Sequence, residues 1–389
     1  MIDTAVIVLL DKAWPPEHSF VDGMLASVVP QHQIAKVNLI VSKGTAENAK
    51  PKKYFNATCI PLLYERRGVG RVINFFLAVN TITKLVKHHQ KKKRKVVVWV
   101  RNEPIYLLSA AITKGSYCKL VFQSSYPHER YSGNHVMRFF ARFLYQIAGR
   151  NVDSVTGVSP AGTLRAQKYC PNASYSHYIP LMSDLPVSNT NSSILPLDEM
   201  KKPVFVYIGT HAAKRQQEVI LRGIKKVVQQ GGEATFLFVG ATDEDEERLV
   251  KMSQVQQLIK DKVIHFIRPV SRLAIPNILS HCDVGLSLVP PNDENYEMSP
   301  TKLAEYMGAG LAVLASNGVA LQEKFVSDSN SGYLVDWHED SIANGILSLL
   351  SPNTSLTEFK ESSKYYAENF LKYEFFIEQF KALISNNER

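Results

Sequence analysis

The sequence predicts an α/β protein of two doubly wound, parallel-sheet domains, and three observations carry that prediction. First, short apolar runs recur, each followed by a helical stretch. They are TAVIVLL, VNLIV, KVVVWV, CKLVFQ and DSVTGV in the first half, then PVFVYIG, ATFLFVG, DVGLSLV and LAVLAS in the second. Strands apolar along their whole length are covered on both faces, as in parallel sheets crossed by helices. Second, the pattern restarts after SDLPVSNTNSSILPLDEMKK, residues 183–202, which is rich in Ser, Asn and Pro and has no periodicity. Third, 389 residues suffice for two cores, and 45% hydrophobic with 21% charged residues is an ordinary globular composition. The expected division is 1–182, a linker at 183–202, a second domain at 203–370, and a C-terminal helix in 371–389 packing back on the first domain.

Composition narrows the function classes. The apolar run in MIDTAVIVLLDKAW is short and lacks both a basic leader and a small-residue cleavage site. It reads as a buried first strand, not a signal peptide. No stretch is expected to reach the roughly 18 apolar residues of a membrane span, so the expected location is cytoplasmic. Cys59, Cys118, Cys170 and Cys282 are widely spaced and form no CxxC pair, which argues against a disulfide framework or a zinc site. The formal net charge is +9 and is unevenly placed: KLVKHHQKKKRK, Lys84 to Lys95, holds seven Lys/Arg and no acid. Such a run suits nucleic acid, an anionic lipid surface or plain solvation. It lacks the interleaved aromatics of a nucleic-acid site, so no nucleic-acid partner is expected.

Ligands of open α/β sheets bind at the carboxyl ends of strands, so the chemistry should sit on the loops that follow them. In VPPNDENYEMSPTKLAEYMGAGLAVLAS, Ser299-Pro300 reads as a helix start, with Ser at the N-cap and Pro at the first helical position. The free amides of Thr301 and Lys302 would then suit a diphosphate. Glu297 stands before the helix and Glu305 two turns along it, with seven residues between them. Either carboxylate can accept sugar hydroxyls; by charge alone each also suits a solvated surface.

This segment resembles the signature of the retaining family 4 glycosyltransferases of the GT-B fold, and is especially similar to bacterial members that build surface polysaccharides. The family pattern is a glutamate, seven residues, a second glutamate, a small-residue turn and an apolar strand. The resemblance implies that Glu297 contacts the donor sugar and Glu305 the ribose. The family's usual Gly-Phe-Gly after the first glutamate is replaced by Met298-Ser299-Pro300. YIGTHAAKRQQEVILRGI is similar to the family's diphosphate loop, which implies donor binding by Gly209, Thr210, Lys214 and Arg215. Thr210 stands where the family usually has arginine. A cation there offsets charge on the leaving diphosphate. VIHFIRPVSRLAIP resembles the loop that packs on the nucleotide base, which implicates Arg268 and Val270.

The resemblance to the first domain is looser. His128 in VFQSSYPHERY is similar to a family histidine beside the donor sugar, though a structural histidine fits equally. With Glu297 it is the expected catalytic pair. RNEPIYLL resembles another loop of the family, which implies that Arg101 and Glu103, with Glu129, lie on the acceptor side, and DKAWPPEHSFVDGM, with Gly23, only suggests a glycine-rich turn. Asp243 and Asp245 read as helix-start acids, not a metal motif. No metal or other cofactor is expected to be required, and a UDP- or GDP-sugar is the expected substrate. The implied function is transfer of a hexose from a nucleotide sugar to a saccharide or lipid-linked acceptor, with Lys84–Lys95 meeting an anionic membrane. A GT-B epimerase and a non-catalytic nucleotide-sugar-binding module remain open alternatives.

Overall fold

The computed structural model describes residues 3–13, 23, 34–43, 52–54, 57–62, 64, 68–131, 134–182 and 195–385. Most of the DKAWPPEHSFVDGM turn and of the Ser/Asn/Pro-rich segment lies outside the described residues. The chain forms two compact units. The first comprises Met1–Pro180, Glu297–Ser299 and Tyr373–Arg389; the second comprises Leu181–Tyr296 and Pro300–Lys372.

The first unit holds an eight-stranded sheet of β1 (Thr4–Ala13), β2 (Ile34–Ser42), β3 (Lys52–Tyr54), β4 (Ala57–Pro61), β5 (Lys95–Arg101), β6 (Lys119–Ser124), β7 (Ser154–Gly157) and β8 (Tyr175–Tyr178). The order is β3-β4-β2-β1-β5-β6-β7-β8, parallel except for the β3–β4 pair. Its helices are α1 (Gly68–Lys91), α2 (Pro104–Ile112), α3 (His128–Tyr131), α4 (His135–Ala148) and α5 (Pro160–Gln167). Ile7, Leu9, Val98, Val100 and Phe122 form a core with Ala78, Ile82 and Val86 of α1 and Tyr145 of α4. Among the described residues one helix, Val69–Lys91, is long and apolar enough to cross a membrane, contrary to expectation, but its Ala78, Ile82 and Val86 face is buried in that core.

The second unit holds a six-stranded, all-parallel sheet of β9 (Val204–Ile208), β10 (Thr235–Val239), β11 (Ile264–Ile267), β12 (Val284–Ser287), β13 (Ala312–Ser316) and β14 (Gly332–Val335). Its order is β11-β10-β9-β12-β13-β14. In sequence rank this is 3-2-1-4-5-6, so the winding direction reverses between β9 and β12, where such sheets bind ligands. Its helices are α6 (Gln217–Gln229), α7 (Asp243–Val250), α8 (Ser253–Lys260), α9 (Ile275–Ser280), α10 (Asp293–Tyr296), α11 (Thr301–Gly308), α12 (Ala320–Ser329), α13 (Glu339–Leu350) and α14 (Leu356–Phe370). Thr242 caps α7, and Asp245 completes a capping box, so the acids of ATDEDEE do begin a helix.

The last helix, α15 (Ile377–Ile384), lies in the first unit. There the Phe380 ring packs on Trp99 of β5, centroids 5.8 Å apart. The buried Lys119 ammonium donates to the carbonyls of Ala382 and Ser385 at 3.1 and 2.5 Å.

Candidate functional site: a glycine loop and a helix start in the second unit

At the reversal point, Gly209 follows β9 and Gly240 follows β10. Both have left-handed backbones, φ +144° and +104°. A methyl group on Gly240 would sit 2.5 Å from the Gly209 carbonyl oxygen, so the two turns approach as only glycine permits. The chain then passes Thr210, exposed Lys214 and half-buried Arg215 before α6. His211 is fully buried among Tyr207, Phe238 and Phe266 and pins this loop to the core. Burial pushes its imidazole down to about 4, and Lys302 adds to that.

The helix α11 opens beside this loop. Pro300 occupies its N-cap with no side-chain cap hydrogen bond, one position later than expected for Ser299. The ring fixes φ at −79° while ψ stays at 79°, outside the helical well, so helical geometry starts at Thr301. Thr301 and Lys302 are thereby the first two helical residues, whose amides have no intrahelical acceptor. The Tyr306 hydroxyl accepts from the Ile208 N–H at 2.8 Å and ties α11 to the end of β9.

The Lys302 side chain, not only its amide, faces the glycine loop. Its Nζ lies 3.7 Å from the Tyr207 ring centroid. A methyl group on Gly209 would meet that Nζ at 3.5 Å. Burial lowers the Lys302 pKa and Arg215 adds to this, while Tyr207 opposes it. Glu305 is buried, and the Arg272 guanidinium lies 3.1 Å from its carboxylate. Burial raises the Glu305 pKa against the pull of Arg272 and Lys302. Glycine loop, helix start, ammonium and buried carboxylate thus stand together. Arg268 is turned to α7, pairing with Asp243 and Glu246 at 2.5 and 2.7 Å, and Val270 is half-buried.

In the first unit, the sheet order reverses between β1 and β5, and a polar network fills that point. Arg101 donates to Asp11 at 2.5 Å. Asn102, in the left-handed region at φ 58°, donates to Asp11 at 2.6 Å and accepts from the amides of Ser125 and Tyr126. The Tyr145 hydroxyl donates to the Asn102 carbonyl. Arg101, Glu103 and Glu129 are all buried, so they hold loops together. His128 is half-buried at the start of α3, edge-on to Tyr126.

Glu297 meets two arginines in this unit: Arg165 at 2.6 Å and Arg130 at 3.0 Å. Its carbonyl accepts from Ser159 at 2.6 Å. Arg165 also pairs with Glu129 at 2.5 Å. Ser299 is buried nearby in sequence. The roles of Asp11, Asn102, Arg130, Arg165, His211 and Arg272 were not anticipated. Only the left-handed Asn102 before Glu103-Pro104 had a local signal, since Asn tolerates that conformation.

Residues 202–352 match the family described as glycosyl transferases group 1. A search of the curated proteins finds no match. Among solved structures, sucrose-phosphate synthase from Thermosynechococcus elongatus is similar at TM-score 0.72 and 15% identity, covering 98% of each chain. HepE from Anabaena, solved with UDP-glucose, gives 0.67 and 15% over 97% of this chain and 98% of that one. The UDP-forming trehalose-phosphate synthase of Burkholderia xenovorans, solved with glucose-6-phosphate, gives 0.66 and 11% over 98% and 100%. The chain has the two-domain, Rossmann-like GT-B fold, and the match to glycosyl transferases group 1 is confined to residues 202–352 of its second half.

Proposed function

We propose that the protein is a nucleotide-sugar-dependent hexosyltransferase that acts with retention on a saccharide or lipid-linked saccharide in cell-surface polysaccharide synthesis. The observation that carries this reading is the Lys302 ammonium, held between Tyr207 and the Gly209 loop at the start of α11. A donor diphosphate would accept from the Thr301 and Lys302 amides and meet the cations of Lys302, Lys214 and Arg215. Gly209 gives it room, and Thr210 and Pro300 line the approach. Glu305 would take the ribose hydroxyls, with Arg272 orienting its carboxylate. Val270 and the backbone at Arg268 would face the base. UDP-glucose bound to HepE supports a UDP-sugar over other donors.

Glu297 would face the donor sugar, oriented by Arg130 and Arg165, and His128 would stand beside the transferring carbon. Ser299 would serve by packing, since it does not cap the helix. Arg101, Glu103 and Glu129 would be positioning residues on the acceptor side. The glucose-6-phosphate bound to the trehalose-phosphate synthase supports a phosphorylated saccharide as one acceptor class. The protein would work in the cytoplasm, held at an anionic membrane in part by Lys84–Lys95.

A thermal-shift series with UDP, GDP and their sugars tests the reading, because a ligand of the native state raises its melting temperature. A rise with UDP or GDP, and anomeric retention in the product by NMR, is the expected result. No shift with either nucleotide would refute the donor site.

A further inference from the structure

The solvent face of the helical layer over the first sheet is apolar where a soluble protein would be polar. The helix α4 begins at Asn134, whose side chain caps the Met137 amide, and it buries Ala141, Tyr145 and Ala148. Its opposite face leaves Val136, Phe139, Phe140, Phe143 and Ile147 in solvent, with Phe139 66% exposed. In the same layer α2 packs against both α1 and α4. The first half of α1 adds a second stripe: Val69, Val72 and Phe76, at 75%, 56% and 65% exposure, with Ile112 of α2 also exposed. Spacings of three and four residues place each set on one helical face.

The charges of this layer have one sign. The segments 68–91, 104–112 and 134–152 contain no Asp or Glu, while Arg71, Lys84, Lys87, Lys91, Arg138 and Arg142 lie on α1 and α4. An apolar helix face flanked only by cations is the pattern of helices that lie in a bilayer interface, aromatic rings among acyl chains and cations at anionic headgroups. A second copy of the chain is the poorer occupant. A self-complementary contact would bring like cations together, and such interface cores are depleted of charge.

We propose that the α1–α2–α4 face docks on an anionic phospholipid bilayer, with Phe139, Phe140 and Phe143 as its anchor. The Lys84–Lys91 end of α1 then acts as an electrostatic flank, not as the anchor itself. Both α1 and α4 start at the carboxyl ends of the first-unit strands. For its purpose the proposal rests on the lipid-linked acceptor proposed above. Binding itself is measured without any sugar nucleotide, so either can fail alone.

The test is co-sedimentation of the full chain with phosphatidylglycerol–phosphatidylcholine vesicles and with pure phosphatidylcholine vesicles. The parent is expected to pellet with the anionic vesicles. The combined Phe139→Ser, Phe140→Ser, Phe143→Ser variant should bind about ten- to a hundredfold more weakly, with its melting temperature retained because these rings are exposed. The combined Lys84→Ala, Lys87→Ala, Lys91→Ala variant should lose binding mainly at low salt. A separate Phe139→Trp variant should shift its fluorescence to the blue on vesicles and be quenched by brominated acyl chains. The proposal is overturned if the triple serine variant pellets like the parent, if the parent ignores anionic vesicles, or if the parent is a dimer that this variant converts to monomer. Loss of UDP binding with vesicle binding intact would sink the transferase reading alone.

Discussion

Two glutamates with seven residues between them meet different surroundings, and the difference predicts separable phenotypes. Glu305 is buried and paired with Arg272, so removing its charge loses that ion pair as well as the proposed ribose contact. Hydrogen bonds to charged groups contribute roughly 1.5–3 kcal/mol. Glu305→Gln should therefore weaken binding of bare UDP about ten- to a hundredfold, read by calorimetry. Glu297 faces Arg130 and Arg165, and bare UDP has no sugar to offer it. Glu297→Gln should leave UDP affinity near that of the parent and lower turnover about a hundredfold in a transfer assay. Equal effects of the two changes in both assays would remove the assigned division of labour. Gly240 poses a backbone question instead. Its φ of +104° and the 2.5 Å approach to the Gly209 oxygen leave no room for a Cβ. Gly240→Ala should cost about 1–3 kcal/mol, visible as a fall in melting temperature of roughly 2–12 °C, and should weaken UDP binding by displacing Gly209. An alanine variant as stable as the parent would show that the turn relaxes freely.

Among elements, the strands with unbroken apolar runs were legible, because burial on both faces leaves them no polar positions. The short strands β8, YSHY, and β14, GYLV, carry no such run. Both are edge strands with mostly half-buried residues, and their pairing comes from the neighbouring strand already in place. The antiparallel β3 is three residues long and likewise owes its existence to β4. The C-terminal helix α15 was legible as amphipathic and was expected on the first domain, but the residues it covers there were not legible. Its Phe380 is 2% exposed and packs on Trp99. Phe380→Ala should cost about 3–5 kcal/mol in the first unit. Urea unfolding followed by fluorescence should show an earlier transition, while the nucleotide-dependent thermal shift of the second unit persists. An unchanged unfolding midpoint would mean that α15 adds nothing to this core.

Across the whole molecule, each unit buries one histidine that resists protonation. His89 in the first unit donates from Nε2 to the Asn38 Oδ1 at 2.8 Å and is held down to about 4, first by burial and then by His88, Arg94, Lys92 and Lys36. His211 in the second unit is held to about 4 chiefly by burial. Both folded values lie below the ordinary 6.5, so between these pH values the unfolded chain binds more protons than the folded one. Their contribution is therefore complete above pH 6.5 and is lost progressively as the pH falls towards 4, by at most about 3 kcal/mol each. Melting temperature should drop across that window. His211→Phe should flatten the drop for the second unit's transition; an unaltered slope would place the acid sensitivity elsewhere.

What the sequence determined by itself was periodic or local. Continuous apolar runs specified parallel strands, their recurrence in the second half specified a second sheet, and the motif around Glu297 and Glu305 marked a helix start after a strand. These properties are carried by neighbours in the chain, so one stretch read alone reveals them. Only the tertiary structure decided which distant groups meet. Lys302 reaches across to Gly209 and Tyr207, Arg272 to Glu305, and Arg165 gathers Glu129 with Glu297. It also decided which apolar residues stay in solvent. In HVMRFFARFLYQIA the periodicity fits a buried helix as well as an interfacial one, and only the placement of Ala141 and Tyr145 inside leaves Phe139, Phe140 and Phe143 outside. Ion pairs and exposure are set by distance in space. A pairwise contact between residues some thirty to a hundred and seventy positions apart leaves no periodic trace in either partner's own surroundings.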